Sequence, residues 1–530
     1  MNFRFFLLIG IFGLLYALLG INLYRLQIEN SFYYAEKAQA RNETALSYLS
    51  KRGRIFFTDR NGNLIQVAIN RDFSMIYAVP KEIEIEKMSE ISSSLAPIIG
   101  WRQEELKNAL KNKPQSLFRL LVDKASEEQI KKVKEFSFNG IYTGYTIHRF
   151  YPFQNLGSQV LGFVGINEEH ITPTGLYGIE KFHNKILAEG KDVYLTIDRA
   201  IQAEAEFILS NLISKFEAEG GTIIVQEPKT GKILAMTNKP DFDPNNYKYW
   251  PVKNFINPAI QHIYEPGSVI KVITMAIGID TGVLTPETIF VDKGSVTLNG
   301  KTIKNWDEKA YGRITMTKVI ERSVNTGAVF AESKIGHRKF LDYLLKFGFG
   351  ELTNIDLPDE VAGSLKSLTR KDAQDIDFAT ASFGQGIAVT PISLINAFSA
   401  IANGGVLMRP YIDAHKEPEV IRRVIKEETA RQVIEMMESA VEKAQIAVIP
   451  YYRLAGKTGT AQIPDFKNGG YTDQFFHTYI GLAPVSDPKF VALIKLDKPK
   501  AQLAGMTVVP AFKELAQFIL NYYHISPDKL

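Results

Sequence analysis

Ser268 and Lys271 stand three residues apart in Tyr264-Glu265-Pro266-Gly267-Ser268-Val269-Ile270-Lys271, and the apolar run Val272-Ile273-Thr274-Met275-Ala276-Ile277 follows them. Pro266 and Gly267 suit the start of a helix, which puts the serine and the lysine one turn apart on one face. That helix is apolar nearly all round, the pattern of a helix inside a domain core. Desolvation lowers the pKa of a buried amine, so a neutral Lys271 could take a proton from a neighbouring hydroxyl and make Ser268 a nucleophile. The same residues also fit a plainer arrangement, in which Lys271 snorkels out of the first turn and Ser268 caps it.

Two other Ser-x-x-Lys matches, Ser486 to Lys489 and Ser526 to Lys529, show how readily the pattern arises. Each has a proline inside the would-be helical turn, which disfavours a helix there. Ser268 differs in its company. Ser323-Val324-Asn325 lies between two helical segments, where Ser and Asn side chains interrupt helices and act as caps. Gly456-Lys457-Thr458-Gly459-Thr460-Ala461-Gln462 lies on a strand-like stretch. Glycine in a strand is expected where a ligand or another backbone comes close, so two glycines flanking Lys-Thr suggest a binding edge. A phosphate-binding loop is excluded, because the glycine it needs five residues before Gly456 is Tyr451. A second Lys-Thr-Gly, Lys229-Thr230-Gly231, precedes Ser268 and sits in a turn. The order Ser-x-x-Lys, Ser-x-Asn, Lys-Thr-Gly matches the serine acyl-transferase signature, with nucleophile and base on the first motif and one wall of the site on the last.

Strands are expected over 221–226 and 233–237, joined by the turn Pro228-Lys229-Thr230-Gly231, and again over 479–482 and 490–495. Helices are expected over 200–217 and 511–522, and the stretch between the early and late strands is mostly helical. Strands from both ends around a helical middle imply an α+β domain with an inserted helical part. Ahead of it, 55–58 and 64–69 read as a hairpin around Asn61-Gly62. Charged segments of helical period follow at 82–95 and 103–138. No catalytic residue types cluster there, which fits a spacer or docking domain.

At 530 residues and 45% apolar, the chain is long enough for more than one core. Its 62 basic and 58 acidic residues leave a net charge of +4, so bulk electrostatics do not point to nucleic acid. With no cysteine, disulfides, thiol catalysis and thiolate metal sites are excluded. The eight histidines show no His-Glu-x-x-His spacing that would suggest a metal. Residues 5–21 carry no charged side chain, between Arg4 and Arg25, and would make about 26 Å of helix, enough with the next few residues to cross a bilayer. No small-x-small cleavage signal follows, so an uncleaved anchor is expected.

The chain resembles the class B penicillin-binding proteins, the monofunctional peptidoglycan D,D-transpeptidases. Arg149-Phe150-Tyr151-Pro152 and residues 175–180 are similar to that family's pedestal motifs. Residues 257–271, Phe383-Gly384-Gln385-Gly386 with Thr390-Pro391, and residues 477–488 are similar to its catalytic-domain motifs. One departure is that two extra residues separate Arg52-Gly53-Arg54-Ile55 from Asp59-Arg60-Asn61-Gly62. The resemblance implies an anchor over 1–25, a pedestal over 26–192 and a transpeptidase domain over 193–530, the last an antiparallel sheet flanked by helices with a helical subdomain.

The resemblance also implies roles. Lys271, neutral through burial and the positive Lys457, would deprotonate Ser268, which attacks the penultimate D-Ala carbonyl of a stem peptide and releases the terminal D-Ala. Backbone N–H groups of Ser268 and Thr460 would form the oxyanion hole. Ser323 would relay a proton to the leaving amine, and Asn325 would bind the peptide amide and orient Lys271. Lys457, Thr458 and Thr460, with Gly459 between them, would hold the terminal carboxylate. No cofactor or metal is required, and β-lactams would be covalent inhibitors. The body would lie outside the cytoplasmic membrane and work with a membrane-embedded SEDS-type glycosyltransferase and other cell-wall machinery. Residues 323–336 and 383–386 look more like the division and sporulation branch than the elongation branch. A β-lactamase of the same superfamily would need a deacylating base, and the class A Glu-x-x-x-Asn pattern is missing between Ser323 and Lys457. A β-lactam sensor or an inactive scaffold remains as a different use of the same fold.

Overall fold

The structure is a computed structural model that describes residues 12–20, 22, 51–166, 173–465 and 468–529. The expected anchor lies largely outside these residues; of it, 12–20 and 22 are helical. Among the described residues no helix is long and apolar enough to cross a membrane.

The pedestal is built on the strand Ile55–Thr58, which pairs antiparallel with the start of Leu64–Ala78 and parallel with Val193–Asp198. Asp59 closes the intervening turn by accepting from the backbone N–H groups of Asn61 and Asn63 and from the Asn63 side chain. Pairing therefore holds through the two extra residues of this motif, with a register shift between Ile55 and Phe56. The second strand runs nine residues past the expected 64–69, through polar Asn70-Arg71-Asp72, because it pairs residue for residue with Ile141–Phe150. A partner strand sets its length, where local alternation did not.

The expected helical stretch 103–138 is divided. Helix Gln103–Lys111 stops shortly before Pro114, Arg119–Val122 joins the sheet beside Ile76–Ala78, and Ser126 starts helix Glu127–Phe136 with a capping box to Gln129. Proline cannot continue a helix, and the apolar Leu120-Leu121-Val122 finds a strand partner instead.

In the larger part, five antiparallel strands lie in the order Ala455–Pro464, Tyr471–Ala483, Phe490–Asp497, Gly220–Gln226, Ile233–Lys239. Strands from the two ends of the region thus meet around a helical middle. The central strands are apolar on both faces, as a sheet covered on both sides requires. Ile223, Val225, Ala492 and Ile494 face helices Arg199–Phe216 and Ala504–Tyr522. Ile224, Val491 and Leu493 face a second core shared with helices Ile270–Asp280, Pro391–Ala402 and Glu427–Ala444. That core runs on into the pedestal through Ile55, Phe57 and Val67.

Buried charge ties distant segments of the pedestal to one another. Glu180 accepts from Arg52 Nε at 2.8 Å and Nη2 at 2.6 Å, from Arg149 Nε at 2.6 Å, and from the Tyr151 hydroxyl at 3.2 Å. Burial alone pushes this carboxyl up; Arg149 and then Arg52 more than reverse it, so it lies below its ordinary value of 4.5. Removing one member of a buried ion cluster strands the others, so Glu180→Ala is expected to lower unfolding free energy by about 3–5 kcal/mol in denaturant titration. Because the folded-state pKa is depressed, the Glu180 contribution is complete above the ordinary carboxyl value and is lost as pH falls through the lowered one. The gap between the wild type and Glu180→Ala should therefore narrow on acidification; a gap that stays constant contradicts the charge cluster as its cause.

Candidate active site

Ser268 lies in a single 3-10 turn, Gly267–Val269, that runs directly into helix Ile270–Asp280. Gly267 has φ of +64° and donates its N–H to the Gly384 carbonyl at 3.1 Å. A Cβ on Gly384 would fall on the Gly267 backbone, and Gly384 itself has φ of +85°. On the other flank, a Cβ on Gly459 would come within 2.8 Å of the Pro266 carbonyl oxygen. The nucleophile turn is thus wedged between a loop and the outermost strand of the sheet, at distances only glycine permits. Gly456, the other glycine beside Lys457-Thr458, gives room to the Tyr479 hydroxyl from the next strand. The two glycines of this motif answer two internal contacts.

Ser323 ends helix Met316–Arg322 in the left-handed conformation, φ 56° and ψ 46°, and helix Asn325–Ile335 begins two residues later. Such a conformation persists in a non-glycine residue when its surroundings hold it. Thr326 Oγ1 donates to Asp292 Oδ1 at 2.6 Å, Asn305 Nδ2 donates to Asp292 Oδ2 at 2.8 Å, and Trp306 Nε1 donates to the Arg322 carbonyl at 3.2 Å. This network braces the corner that carries Ser323.

Three motifs far apart in sequence meet here. Lys271 Nζ lies 3.0 Å from Ser268 Oγ, 3.1 Å from Ser323 Oγ and 2.6 Å from the Ser323 carbonyl oxygen. Lys457 Nζ donates to Ser323 Oγ at 3.0 Å and to the Thr458 carbonyl at 3.1 Å. Lys271 is fully buried and Lys457 is 3% exposed. Burial, followed by the charge on Lys457, holds the Lys271 amine well below its ordinary value, and burial lowers Lys457 to about 7. A neutral amine has two N–H donors and one lone pair. In the neutral form the Ser323 carbonyl and hydroxyl would take its two N–H groups, which leaves the lone pair for the Ser268 hydroxyl.

The other expected residues make contacts of their own. Asn325 Nδ2 donates to the Lys304 carbonyl at 2.9 Å and does not reach Lys271, whose second anchor is the backbone carbonyl of Ser323. Thr460 Oγ1 accepts from Ala504 N–H at 3.2 Å, at the start of helix Ala504–Tyr522, while Thr458 Oγ1 lies 3.4 Å from Lys457 Nζ. Lys489 of the rejected Ser486 pair binds Asp487, which also receives Lys229 from the early Lys-Thr-Gly at 2.6 Å. Sequence patterns carry side chains only, so the Ser323 carbonyl was invisible; Gly384 was visible as a motif glycine without its contact. Among the described residues no group of three or more histidines and carboxylates is placed to hold a metal ion.

A pedestal joined to a two-sided antiparallel sheet, with Ser268, Lys271, Ser323 and Lys457 gathered at its edge strand, defines the serine transpeptidase class. A family model for the penicillin-binding protein transpeptidase domain matches residues 221–517, and one for the penicillin-binding protein dimerisation domain matches 48–195. Stage V sporulation protein D of Bacillus subtilis is 31% identical over 91% of this chain and 80% of its own length. Peptidoglycan D,D-transpeptidase FtsI of Escherichia coli is 28% identical over 100% of this chain and 93% of its own. The crystal structure of penicillin binding protein 2X from Streptococcus thermophilus shares the fold, with a TM-score of 0.72 at 22% identity, covering 90% of this chain and 80% of that one. The chain belongs to the class B penicillin-binding protein family.

Gly384→Ala is expected to displace the nucleophile turn and slow covalent labelling by a fluorescent penicillin by about 100-fold, the scale of an ångström-sized misplacement. Labelling kinetics check this, and a variant that labels at the wild-type rate would show that the turn does not depend on the close approach.

Proposed function

We propose that this protein is a peptidoglycan D,D-transpeptidase acting through an acyl-enzyme on Ser268. The observation that carries the reading is the buried Lys271 amine, hydrogen-bonded to both Ser268 Oγ and Ser323 Oγ within a transpeptidase fold. Lys271 takes the Ser268 proton as Oγ bonds to the penultimate D-Ala carbonyl carbon. The oxyanion that forms is held by the N–H groups of Ser268 and Thr460. Collapse breaks the C–N bond to the terminal D-Ala, and the proton passes from Lys271 by way of Ser323 Oγ to the departing amine. An amine of a second stem peptide then attacks the ester, loses its proton to the same relay and restores Ser268. Lys457 as a cation, with Thr458, holds the terminal carboxylate of the donor. Asn325, beside Ser323 at the mouth of the site, contacts the peptide amide.

The wider setting belongs to the same proposal. The chain divides into an anchor over 1–25, a pedestal over 26–192 and a transpeptidase domain over 193–530. It sits in the cytoplasmic membrane by a single pass with its catalytic part outside. It serves cell division and works beside a SEDS-type glycosyltransferase that polymerises the glycan. Depletion in the source cell tests the role: filaments support it and spheres indicate elongation.

Fluorescent penicillin separates the chemistries. A stable adduct on the wild type that is lost in Ser268→Ala, together with D-Ala release from a D-Ala-D-Ala peptide, supports the transpeptidase. Rapid turnover of the label points to a hydrolase, and no label points to a scaffold. The two lysines also set a pH dependence. In kcat/KM, which reports the free enzyme, the acid side is governed by protonation of Lys271. On the alkaline side, the rate is expected to fall as Lys457, lowered to about 7, gives up the charge that holds the carboxylate. A rate that stays flat through that pKa contradicts the role given to Lys457.

A further inference from the structure

Glu265 lies two residues before Gly267 and takes no part in the chemistry above, yet its half-buried carboxylate joins three chain segments around the nucleophile. One oxygen accepts the Gly386 N–H at 2.9 Å, and the other accepts the Tyr471 hydroxyl at 3.0 Å. Gly386 belongs to the loop whose Gly384 carbonyl receives the Gly267 N–H at 3.1 Å. Tyr471 opens the strand opposite Pro464, just beyond the register shift between Gln462 and Pro464 in the edge strand. The carboxylate therefore bridges from the loop on one flank of Ser268 to the hairpin that continues the opposite flank. Among the described residues no cation pairs with it, and burial raises its pKa. The two donors seen among the described residues are neutral and hold a partly desolvated carboxylate, which makes their geometry matter.

Resting on the reading of Ser268 as the acylated nucleophile, we propose that Glu265 is a positioning residue for acyl transfer. By tying the Gly386 N–H to the Tyr471 hydroxyl, it fixes the separation of the loop and the edge-strand hairpin. That separation keeps the closely packed Gly267 turn, and with it Ser268 Oγ, aimed at an acyl donor lying along the edge strand. Losing the tie lets the loop carrying Gly384 drift, and the serine leaves its attack geometry while the carboxylate anchor at Lys457 is untouched. The effect therefore falls on the acylation step and not on the first binding of the donor.

The test measures the acylation rate constant and the donor dissociation constant separately, by time-resolved labelling of the full chain with a fluorescent penicillin, alongside thermal melting. Glu265→Ala is expected to slow acylation by roughly 10- to 100-fold with the dissociation constant little changed. Tyr471→Phe should slow it by a smaller factor. The double variant should be no slower than Glu265→Ala alone, because both act through one tie. Glu265→Gln should recover most of the rate, since its amide oxygen can accept from Gly386 and its NH2 can donate to the Tyr471 oxygen. Where alanine unfolds the chain, Tyr471→Phe and Glu265→Gln carry the same test. Acylation at the wild-type rate in Glu265→Ala or Tyr471→Phe overturns the proposal, as does failure of Gln to rescue or an effect confined to the dissociation constant. A wild type that labels and a Ser268→Ala that does not keep the underlying reading standing in those cases. A wild type that takes no label defeats both.

Discussion

An amine buried beside two hydroxyls, its pKa held well below the ordinary value, is the condition on which the site rests. Carrying an ammonium into a dry interior costs more than releasing its proton, so the helix Ile270–Asp280 sets the state of Lys271 by being core. Lys457, on the other side of the Ser323 hydroxyl that both lysines share, acts in the same direction by its charge. Much of the surrounding structure keeps this pocket dry and its three motifs in register. The Asp292–Asn305–Thr326 network holds the Ser323 corner, and the glycine approaches at 384 and 459 hold the Ser268 turn.

The pedestal is continuous with that interior. Residues of Ile55–Thr58 and Leu64–Ala78 share a hydrophobic cluster with the nucleophile helix, and Val193–Asp198 pairs with the pedestal while Thr196 N–H reaches the Ile412 carbonyl of the catalytic part. Arg60, at the tip of the lengthened hairpin, donates to the Tyr522 carbonyl at 2.7 Å and lies over its ring, gripping the end of helix Ala504–Tyr522. The start of that helix gives its Ala504 N–H to Thr460 on the edge strand. One helix thus touches the pedestal at one end and the wall of the cleft at the other.

Much of this was legible in the residues, unevenly. Ser268, Lys271, Ser323 and Lys457 were readable because each chemistry demands a particular side chain at a particular spacing, and their order was informative. The strands from both ends of the catalytic part were readable because a sheet covered on both faces leaves apolar runs such as 490–494. What depended on partners distant in sequence was not. The full reach of Leu64–Ala78 and the strand at Arg119–Val122 follow from pairing across the pedestal sheet. The amide of Asn325 is taken by a carbonyl at the end of strand Lys301–Lys304, twenty-one residues earlier, and the carbonyl that anchors Lys271 belongs to no side-chain pattern. Glu265 sat in full view within the first motif, but nothing local indicated that Gly386 and Tyr471 would converge on it.

Among the described residues the outermost strand, Ala455–Pro464, has a strand partner on one side only. A free sheet edge exposes unpaired backbone groups and is a template for any extended chain, including another copy of the same protein. Here the stretch around Gly459 is shielded by the nucleophile turn, and beyond Gln462 the ladder slips register and meets Pro464, whose nitrogen carries no hydrogen to offer. The length of edge open to an incoming strand is thereby kept short. An edge so bounded offers few backbone groups to a second copy, which limits strand-to-strand association and favours colloidal stability.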